Sequence, residues 1–219
     1  MIEIIKNKDN KTFIGYKGDY IFEKIKNNQT HDPIVADVLK EHLTKDSVCI
    51  DIGAYIGDQS VYLSSFCKKV YSFEPQHDIF LALCANLFLN QALNVFPYER
   101  IAYYKNDRFS YASLDTTGNL AATAFIQDNQ GPIIAVRVDE IVTEKVDFIK
   151  CDAQGGDLDA LMGCQKIIDK FKPKILFERE TFMMKEFYNR NWQNYINFFN
   201  ANNYKIKEIV ESNFIAEPI

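Results

Sequence analysis

The sequence has no long apolar run and no basic cluster, and each absence disfavours a class of protein. The longest apolar stretch, "IFLALCANLFLN", is interrupted and too short to span a bilayer, so we expect no membrane insertion. The 25 Lys and Arg residues form no long cluster and are outnumbered by 30 Asp and Glu, which disfavours nucleic acid as the main partner. The start, "MIEIIKNKDNK", has no apolar core behind a basic head, so we expect no secretory signal.

The cysteines are few, odd in number and without a C-x-x-C pair. They are Cys49, Cys67, Cys84, Cys151 and Cys164. Each lies in an apolar context, where free cysteine commonly serves as a small buried hydrophobe. We therefore expect neither a disulfide framework nor a zinc site, and we predict a reducing, cytoplasmic location.

The chain also lacks a Pro- or Gly-rich linker, and its 219 residues favour a single domain. We expect residues 1–45 to form a hairpin and a helix that pack on a main domain, residues 46–219. The alternation in "TFIGYKGDYIFEKI" predicts a hairpin around Gly18-Asp19. "HDPIVADVLKEHL" predicts a helix with Asp32 as its cap.

Beyond these segments, short apolar strands alternate with helical patterns. The predicted strands are "SVCID", "KVYSFE", "NVFPYE", "VDFIKCD" and "PKILFE". This order predicts an α/β fold with a mostly parallel sheet covered on both faces, and a final antiparallel hairpin at one edge. Residues 105–132 read as irregular or antiparallel, "PIIAVRV" as a strand beside the main sheet, and 181–201 as one long aromatic helix.

Acidic residues lie at the carboxyl ends of the strands that carry a chemical pattern. They are Asp51, Glu74 and Glu178, and Asp152 follows Cys151 in the same way. Acidic side chains are poor strand formers, so their repeated placement at one edge calls for a reason. In an open parallel sheet, ligands bind outside the carboxyl ends of the strands, so this edge is the predicted site.

The loop "DIGAYIGD" and the acid after the second strand predict an adenosine cofactor. Gly53 and Gly57 let the backbone turn tightly and approach a ligand, and Glu74 can accept both ribose hydroxyls. The second glycine of a dinucleotide fingerprint is missing, because Ala54-Tyr55 follows Gly53. The acidic loop would repel a pyrophosphate but tolerate an ammonium and a sulfonium, so S-adenosylmethionine is the favoured cofactor.

Three segments in order resemble the FkbM family of S-adenosylmethionine-dependent methyltransferases. They are "VCIDIGAYIGDQSVYL", "KVYSFEP" and "VDFIKCDAQGGDLDALMGC", and the likeness extends from about Asp32 to Pro218. The resemblance implies a class I methyltransferase, Rossmann-like fold with a seven-stranded sheet whose last strand runs antiparallel, after a short N-terminal extension. It implies methyl transfer to a hydroxyl of a sugar, a glycan or a related natural product.

The resemblance also assigns site residues. The cofactor-binding set comprises Asp51, Gly53, Ala54, Tyr55 and Gly57 in the loop, with Glu74, Pro75 and Gln76 at the ribose and adenine. One departure weakens the family's acidic pair: Gln154 stands where the family usually has Glu, and an amide cannot accept a proton as a base does. We therefore predict no metal site.

For the catalytic base, Asp152 is the first candidate and Glu178 the second, with Glu180 as a nearby rival and His31 as a further candidate. Tyr188 and Trp192 could stack an acceptor sugar if they face the cleft. We expect acceptor specificity from the N-terminal segment and residues 105–132.

Two other functions remain open. The βαβ pattern with an acid on the second strand also fits an NAD-dependent oxidoreductase, and Gln154 leaves open a cofactor-binding module with weakened catalysis.

Overall fold

A computed structural model describes residues 1–27, 33–112, 118–210 and 212–219. The strands are β1 (Ile2–Lys6), β2 (Thr12–Tyr16), β3 (Val48–Ile52), β4 (Lys69–Phe73), β5 (Val95–Tyr98), β6 (Ile101–Ala102), β7 (Asp107–Tyr111), β8 (Phe125–Gln127), β9 (Ile133–Val136), β10 (Phe148–Cys151), β11 (Lys174–Glu178), β12 (Tyr204–Val210) and β13 (Asn213–Pro218). The helices are α1 (Tyr20–Lys26), α2 (Pro33–His42), α3 (Asp58–Ser64), α4 (His77–Leu89), α5 (Val138–Ile141), α6 (Asp157–Met162), α7 (Gln165–Phe171), α8 (Thr181–Glu186) and α9 (Trp192–Ala201).

The main sheet has the strand order β12-β13-β11-β10-β3-β4-β5 among the described residues. The pairs from β11 to β5 are all parallel, whereas β13 runs antiparallel to both β11 and β12. The predicted seven-stranded sheet with an antiparallel last strand is therefore confirmed. The chain moves outward in one direction from β3 to β5 and in the other from β10 to β11, so the order reverses between β3 and β10. The carboxyl ends of these two strands form the crevice where such sheets bind ligands.

Alternate side chains of the central strands pack into a different core on each face of the sheet. Ile50 and Ile52 of β3 belong to the core beneath α6, α7 and α9. Cys49 of β3 belongs to the opposite core, which contains Val61 of α3 and Leu83 of α4. Because side chains alternate along a strand, this arrangement also directs Asp51 toward the α3 face, within the strand and not beyond its end.

The N-terminal hairpin lies earlier than predicted. β1 pairs antiparallel with β2, with Lys6 opposite Thr12, so the turn falls between these residues. Asp19, predicted to lie in the turn of a hairpin, instead caps α1 and accepts a hydrogen bond from the Phe22 amide at 2.9 Å. Ile21, Phe22 and Ile25 are buried on one face of this helix, a spacing that fits a helix better than a strand. Asp32 and His31 lie outside the described residues.

One other prediction needs correction. The predicted aromatic helix is two helices, α8 and α9, because Asn189 adopts a left-handed conformation and Asn191 forms a capping box at the start of α9. The strand predicted in "PIIAVRV" is β9, and it lies outside the main sheet. It lies in a second sheet of order β6-β9-β7-β8, which also places antiparallel strands within residues 105–132.

The cysteines are free, and four of the five are buried. No helix in the described part of the chain has the length and apolar character needed to cross a bilayer.

Candidate active site

A cavity opens at the carboxyl ends of β3, β4, β10 and β11, at the predicted edge of the sheet. Its lining includes most of the residues singled out from the sequence: Gly53, Ala54, Tyr55, Glu74, Pro75, Gln76, Asp152, Gln154, Glu178, Glu180 and Tyr188. Asp51 and Gly57 are not among the lining residues. Trp192 is not either, because it packs against Phe177 and Phe214 in the core.

Gly53 brings the loop after β3 into direct backbone contact with the loop after β10. Its φ of +75° lies in the left-handed region, and a Cβ at this position would lie 1.8 Å from the carbonyl oxygen of Asp152. Only glycine fits such an approach without moving one of the loops. Gly57 has a different task, since a Cβ there would lie 2.4 Å from Leu83 of α4. The second glycine therefore permits close packing of α3 on α4.

Glu74 presents a buried carboxylate that is oriented by two backbone amides. Its Oε2 accepts a hydrogen bond from the Tyr55 amide and its Oε1 accepts one from the Gln76 amide, each at 2.9 Å. Each carboxylate oxygen can accept a further hydrogen bond, so two acceptor positions remain for neighbouring hydroxyls. Burial raises the pKa of Glu74 to about 7, against the opposing effect of the two amides.

Asp51 lies behind the cavity wall and forms an ion pair with Lys150, which lines the cavity. The Asp51 side chain is fully buried; its Oδ2 accepts a hydrogen bond from Ser60 at 2.6 Å, and its Oδ1 lies 3.2 Å from Lys150 Nζ. Burial by itself would lower the pKa of Lys150, but the charges of Asp51 and Asp152 raise it above the usual value. The Lys150 ammonium, which lines the cavity, is therefore charged and already neutralised by Asp51.

Three polar side chains cluster where β10 and β11 end. Gln154 Nε2 donates to Asp152 Oδ1 at 3.1 Å and lies 3.5 Å from Glu178 Oε2. Burial raises the pKa of Glu178 to about 9, and the charge of Asp152 and a hydrogen bond to it add to the rise. Glu178 is therefore protonated at neutral pH. Gln154 adopts a φ of +50°, which adds local strain.

Glu180 is already engaged, because it caps α8 and accepts hydrogen bonds from the amides of Phe182 and Met183. Asp157 is fully buried below the cluster and accepts hydrogen bonds from the amides of Ala153 and Gly155. Burial raises the pKa of Asp157 to about 7, with a further contribution from Asp152. Both residues therefore shape loops of the cavity.

Sequence reasoning missed one wall of the cavity. Tyr20 and Ile21 of α1 line it, together with Asn119, Ala121 and Thr123. These residues come from the two segments that were expected to govern acceptor specificity. Their individual positions carry no motif, because they face the cavity through contacts between distant parts of the chain.

The charged residues that line the cavity fit S-adenosylmethionine. Acidic residues outnumber basic ones in the lining: Asp58, Glu74, Asp152, Glu178 and Glu180 against Arg100 and Lys150. Such a lining suits a ligand that carries an ammonium and a sulfonium and opposes a pyrophosphate. Glu74 would hold the ribose and the backbone at Gly53 would lie against the methionine part. The residues described offer no group of three His, Cys, Asp or Glu side chains arranged for a metal ion.

Solved structures share this architecture. An rRNA methylase from Streptococcus thermophilus matches 85% of this chain and 95% of its own at 14% identity, with a TM-score of 0.55. A protein from Streptococcus mutans, assigned as a methyltransferase and solved with SAH, matches 84% of this chain and 93% of its own at 16% identity and a TM-score of 0.55. At these identities the likeness shows the fold. It is the fold of a class I methyltransferase.

A family model, the methyltransferase FkbM domain, matches residues 51–206. The chain therefore belongs to the FkbM methyltransferase family, and it is an S-adenosylmethionine-dependent enzyme. An FkbM methyltransferase from Methylobacillus flagellatus KT matches 80% of this chain and 44% of its own at 17% identity, with a TM-score of 0.57. No match was found among curated proteins. The family assignment removes the dehydrogenase alternative.

Proposed function

We propose that the enzyme methylates a hydroxyl group of a sugar, a glycan or a related natural product. The observation that carries this proposal is the Asp152 carboxylate, which lies in the cavity and is held at 3.1 Å by the Gln154 amide. A hydroxyl must lose its proton when its oxygen is methylated, and a positioned carboxylate can accept that proton.

The bound cofactor supplies an electrophilic methyl group, and its sulfur keeps the electron pair of the bond that breaks. The residues of the chain supply alignment and proton transfer. Asp152 takes the proton of the acceptor hydroxyl, Gln154 orients Asp152, and the protonated Glu178 carboxyl can donate a hydrogen bond to the acceptor or to Asp152. Alignment contributes about 7 kcal/mol or more, and a base about 10²–10⁴ in rate.

The charge of the cavity supports an uncharged polyhydroxyl acceptor over a nucleic acid. Five carboxyl groups line it, and of its two basic side chains Lys150 is paired with Asp51. Even with Glu178 protonated, the acidic groups of the lining outnumber the basic ones, so a phosphodiester backbone would meet net negative charge here, whereas nucleic-acid sites are basic. Sugar hydroxyls would instead find hydrogen-bond acceptors.

Tyr188 offers the stacking surface that a sugar acceptor needs. It lines the cavity, and its ring lies against Gly156, where an added Cβ would come within 3.1 Å of the ring. An aromatic ring fixed in this way presents an apolar face beside polar groups, as sugar recognition requires.

The test is an acceptor screen with S-adenosylmethionine and monosaccharides, nucleotide sugars, glycans and a ribosomal RNA fragment, with methyl incorporation read by mass spectrometry. We expect a methyl ether on a sugar hydroxyl, and a rate loss of about 10²–10⁴ in Asp152→Asn with unchanged S-adenosylhomocysteine binding. Asp147→Asn is the matched control, because Asp147 accepts from the Val48 amide at the opposite end of the sheet. Methylation of RNA alone would reject the proposal. Cofactor binding without turnover on any acceptor would favour the module with weakened catalysis.

A further inference from the structure

Asp19 is a buried carboxylate that joins three parts of the chain. It is 3% exposed and lies outside residues 51–206, the part matched by the family model. Its Oδ1 accepts hydrogen bonds from the Phe22 amide of α1 and from the Tyr55 hydroxyl of the cofactor loop. Its Oδ2 accepts from the Leu120 amide at 2.8 Å. The donors are 3, 36 and 101 positions away in the sequence.

Through Asp19, Tyr55 is held at both ends. Its amide donates to Glu74 Oε2 at 2.9 Å, and its hydroxyl donates to Asp19. Tyr55 also adopts a φ of +51°, a left-handed conformation that is uncommon for a tyrosine and needs support from its surroundings. The loop that carries Gly53 and Ala54 into the cavity is therefore fixed in part by a residue of the N-terminal extension.

Residues 118–123, here called the 118–123 segment, are fixed by the same carboxylate. The Leu120 amide donates to Asp19, and the Tyr20 amide donates to the Gly118 carbonyl at 2.7 Å. On its other side, the segment is bonded to Gln76, whose side-chain amide donates to the Leu120 carbonyl at 3.0 Å and accepts from the Thr123 hydroxyl at 3.1 Å. The segment thereby closes the cavity beside the residue that follows Glu74-Pro75.

We propose that Asp19 is a positioning residue for S-adenosylmethionine, which sets the cofactor loop and the 118–123 segment together before the ligand binds. The inference concerns the cofactor and holds whatever the acceptor is, so its failure and that of the proposed function are separable. A binding site that is only partly formed binds with an affinity reduced by the fraction of formed sites. Breaking the hydrogen bond of Asp19 with Tyr55, or the one with Leu120, lowers that fraction.

Two substitutions test the hydrogen bonds of Asp19 with Tyr55 and with Leu120 separately. Tyr55→Phe removes the hydroxyl bond alone and leaves the Leu120 amide bonded. Asp19→Asn can keep an oxygen toward Phe22 and Tyr55, but it places an NH₂ group against the Leu120 N–H, so that only the segment is released. Asp147→Asn is the control for loss of a carboxylate that accepts from a distant backbone amide.

The experiment is calorimetric titration of each variant with S-adenosylhomocysteine, with hydrogen exchange of the 118–123 amides. We expect Tyr55→Phe and Asp19→Asn each to bind S-adenosylhomocysteine about tenfold more weakly, since hydrogen bonds to charged groups are among the stronger ones. We expect faster exchange at the 118–123 segment in Asp19→Asn and unchanged affinity in Asp147→Asn. In steady-state assays of Asp19→Asn, the KM for the methyl donor should rise while kcat at saturation is kept.

Unchanged affinity in Tyr55→Phe and Asp19→Asn, with only a lower unfolding temperature, would overturn the proposal. An equal affinity loss in Asp147→Asn would do the same, because the effect would then be one of general stability. If Asp19→Asn does not fold, Tyr55→Phe decides, since it removes a single oxygen atom and leaves the cap of α1 in place.

Discussion

Lys150 Nζ lies 3.2 Å from Asp51 Oδ1, and the two side chains are 6% and 0% exposed. The register of the sheet explains the contact, because Lys150 of β10 pairs directly with Asp51 of β3. Ser60 donates to the other oxygen of Asp51 and lies 2.8 Å from Ser72 of β4. The buried pair therefore ties three strands and α3 together just below the cavity floor.

Removing one partner of this pair should lower the free energy of unfolding far more than removing both. Lys150→Met leaves the Asp51 charge buried without a counter-ion, and we expect a loss of about 3–5 kcal/mol in the free energy of unfolding. The double variant Asp51→Asn/Lys150→Met should recover most of that loss. Urea denaturation of the single and double variants measures the difference. Additive losses would show that the two side chains act independently.

Glu178 makes stability depend on pH in a direction opposite to that of a salt-bridged acid. Its pKa is about 9 in the folded protein and near 4.5 when exposed. Between these values the folded state holds a proton that the unfolded state has lost, so the stability contribution is full below the lower value and falls as pH rises toward the upper one. Glu178→Gln should remove that slope and raise stability at pH 8.

The measurement is the free energy of unfolding of wild type and Glu178→Gln between pH 5 and pH 9. Glu180→Gln is the control, because it makes the same change at a neighbouring carboxyl that caps α8, and the Gln oxygen can still accept from the backbone amides. A parallel pair of curves for wild type and Glu178→Gln would contradict the assignment of the proton to Glu178.

The sequence predicted the parallel strands of the main sheet and the edge where the cavity lies, because both follow from local patterns. Apolar strands that end on Glu74 and Glu178, and a loop that turns at Gly53, carry their signal within a few residues. Asp51 is a residue whose orientation the local pattern does not reveal. Its place in the motif indicates a ligand contact, but β3 continues to Ile52, and strand alternation turns Asp51 toward α3.

The N-terminal segment was misread for a different reason. Gly18-Asp19 is a common turn pair, and the residues around it alternate well enough for a strand. The helix cap and the contacts of Asp19 with Tyr55 and Leu120 decide the structure, and they join positions 36 and 101 apart. The two long-range contacts cannot be read from a local pattern, although the helical spacing of Ile21, Phe22 and Ile25 can.

Glu74 should make cofactor affinity rise with pH. Its pKa is about 7 in the ligand-free protein, and the ionised carboxylate is the better acceptor for ribose hydroxyls. S-adenosylhomocysteine should therefore bind more tightly at about pH 8 than at about pH 6, by calorimetry at constant ionic strength. Glu74→Gln should bind more weakly by about 1–3 kcal/mol and lose the pH dependence. A pH dependence that persists in the variant would assign it to another group.

Gly53 and Gly18 offer a matched pair for the close approach at the cavity. Both have left-handed φ values, +75° and +84°, but a Cβ would lie 1.8 Å from the Asp152 carbonyl oxygen at Gly53 and meets nothing within 4 Å at Gly18. Gly18→Ala should cost about 1 kcal/mol of conformational strain and keep cofactor affinity. Gly53→Ala should lose S-adenosylhomocysteine binding in the same titration. Equal affinities would show that the two loops can separate freely.

Gln154 should contribute to turnover by orienting Asp152. Its amide donates to Asp152 Oδ1, and its side chain also lies close to Glu178. Gln154→Ala removes the hydrogen bond, and Gln154→Glu replaces the donor with a carboxyl group that competes with Asp152. We therefore expect both variants to lower kcat at saturating S-adenosylmethionine, with the larger loss in Gln154→Glu. An unchanged kcat in both variants would show that Asp152 does not depend on the side chain at position 154 for its orientation.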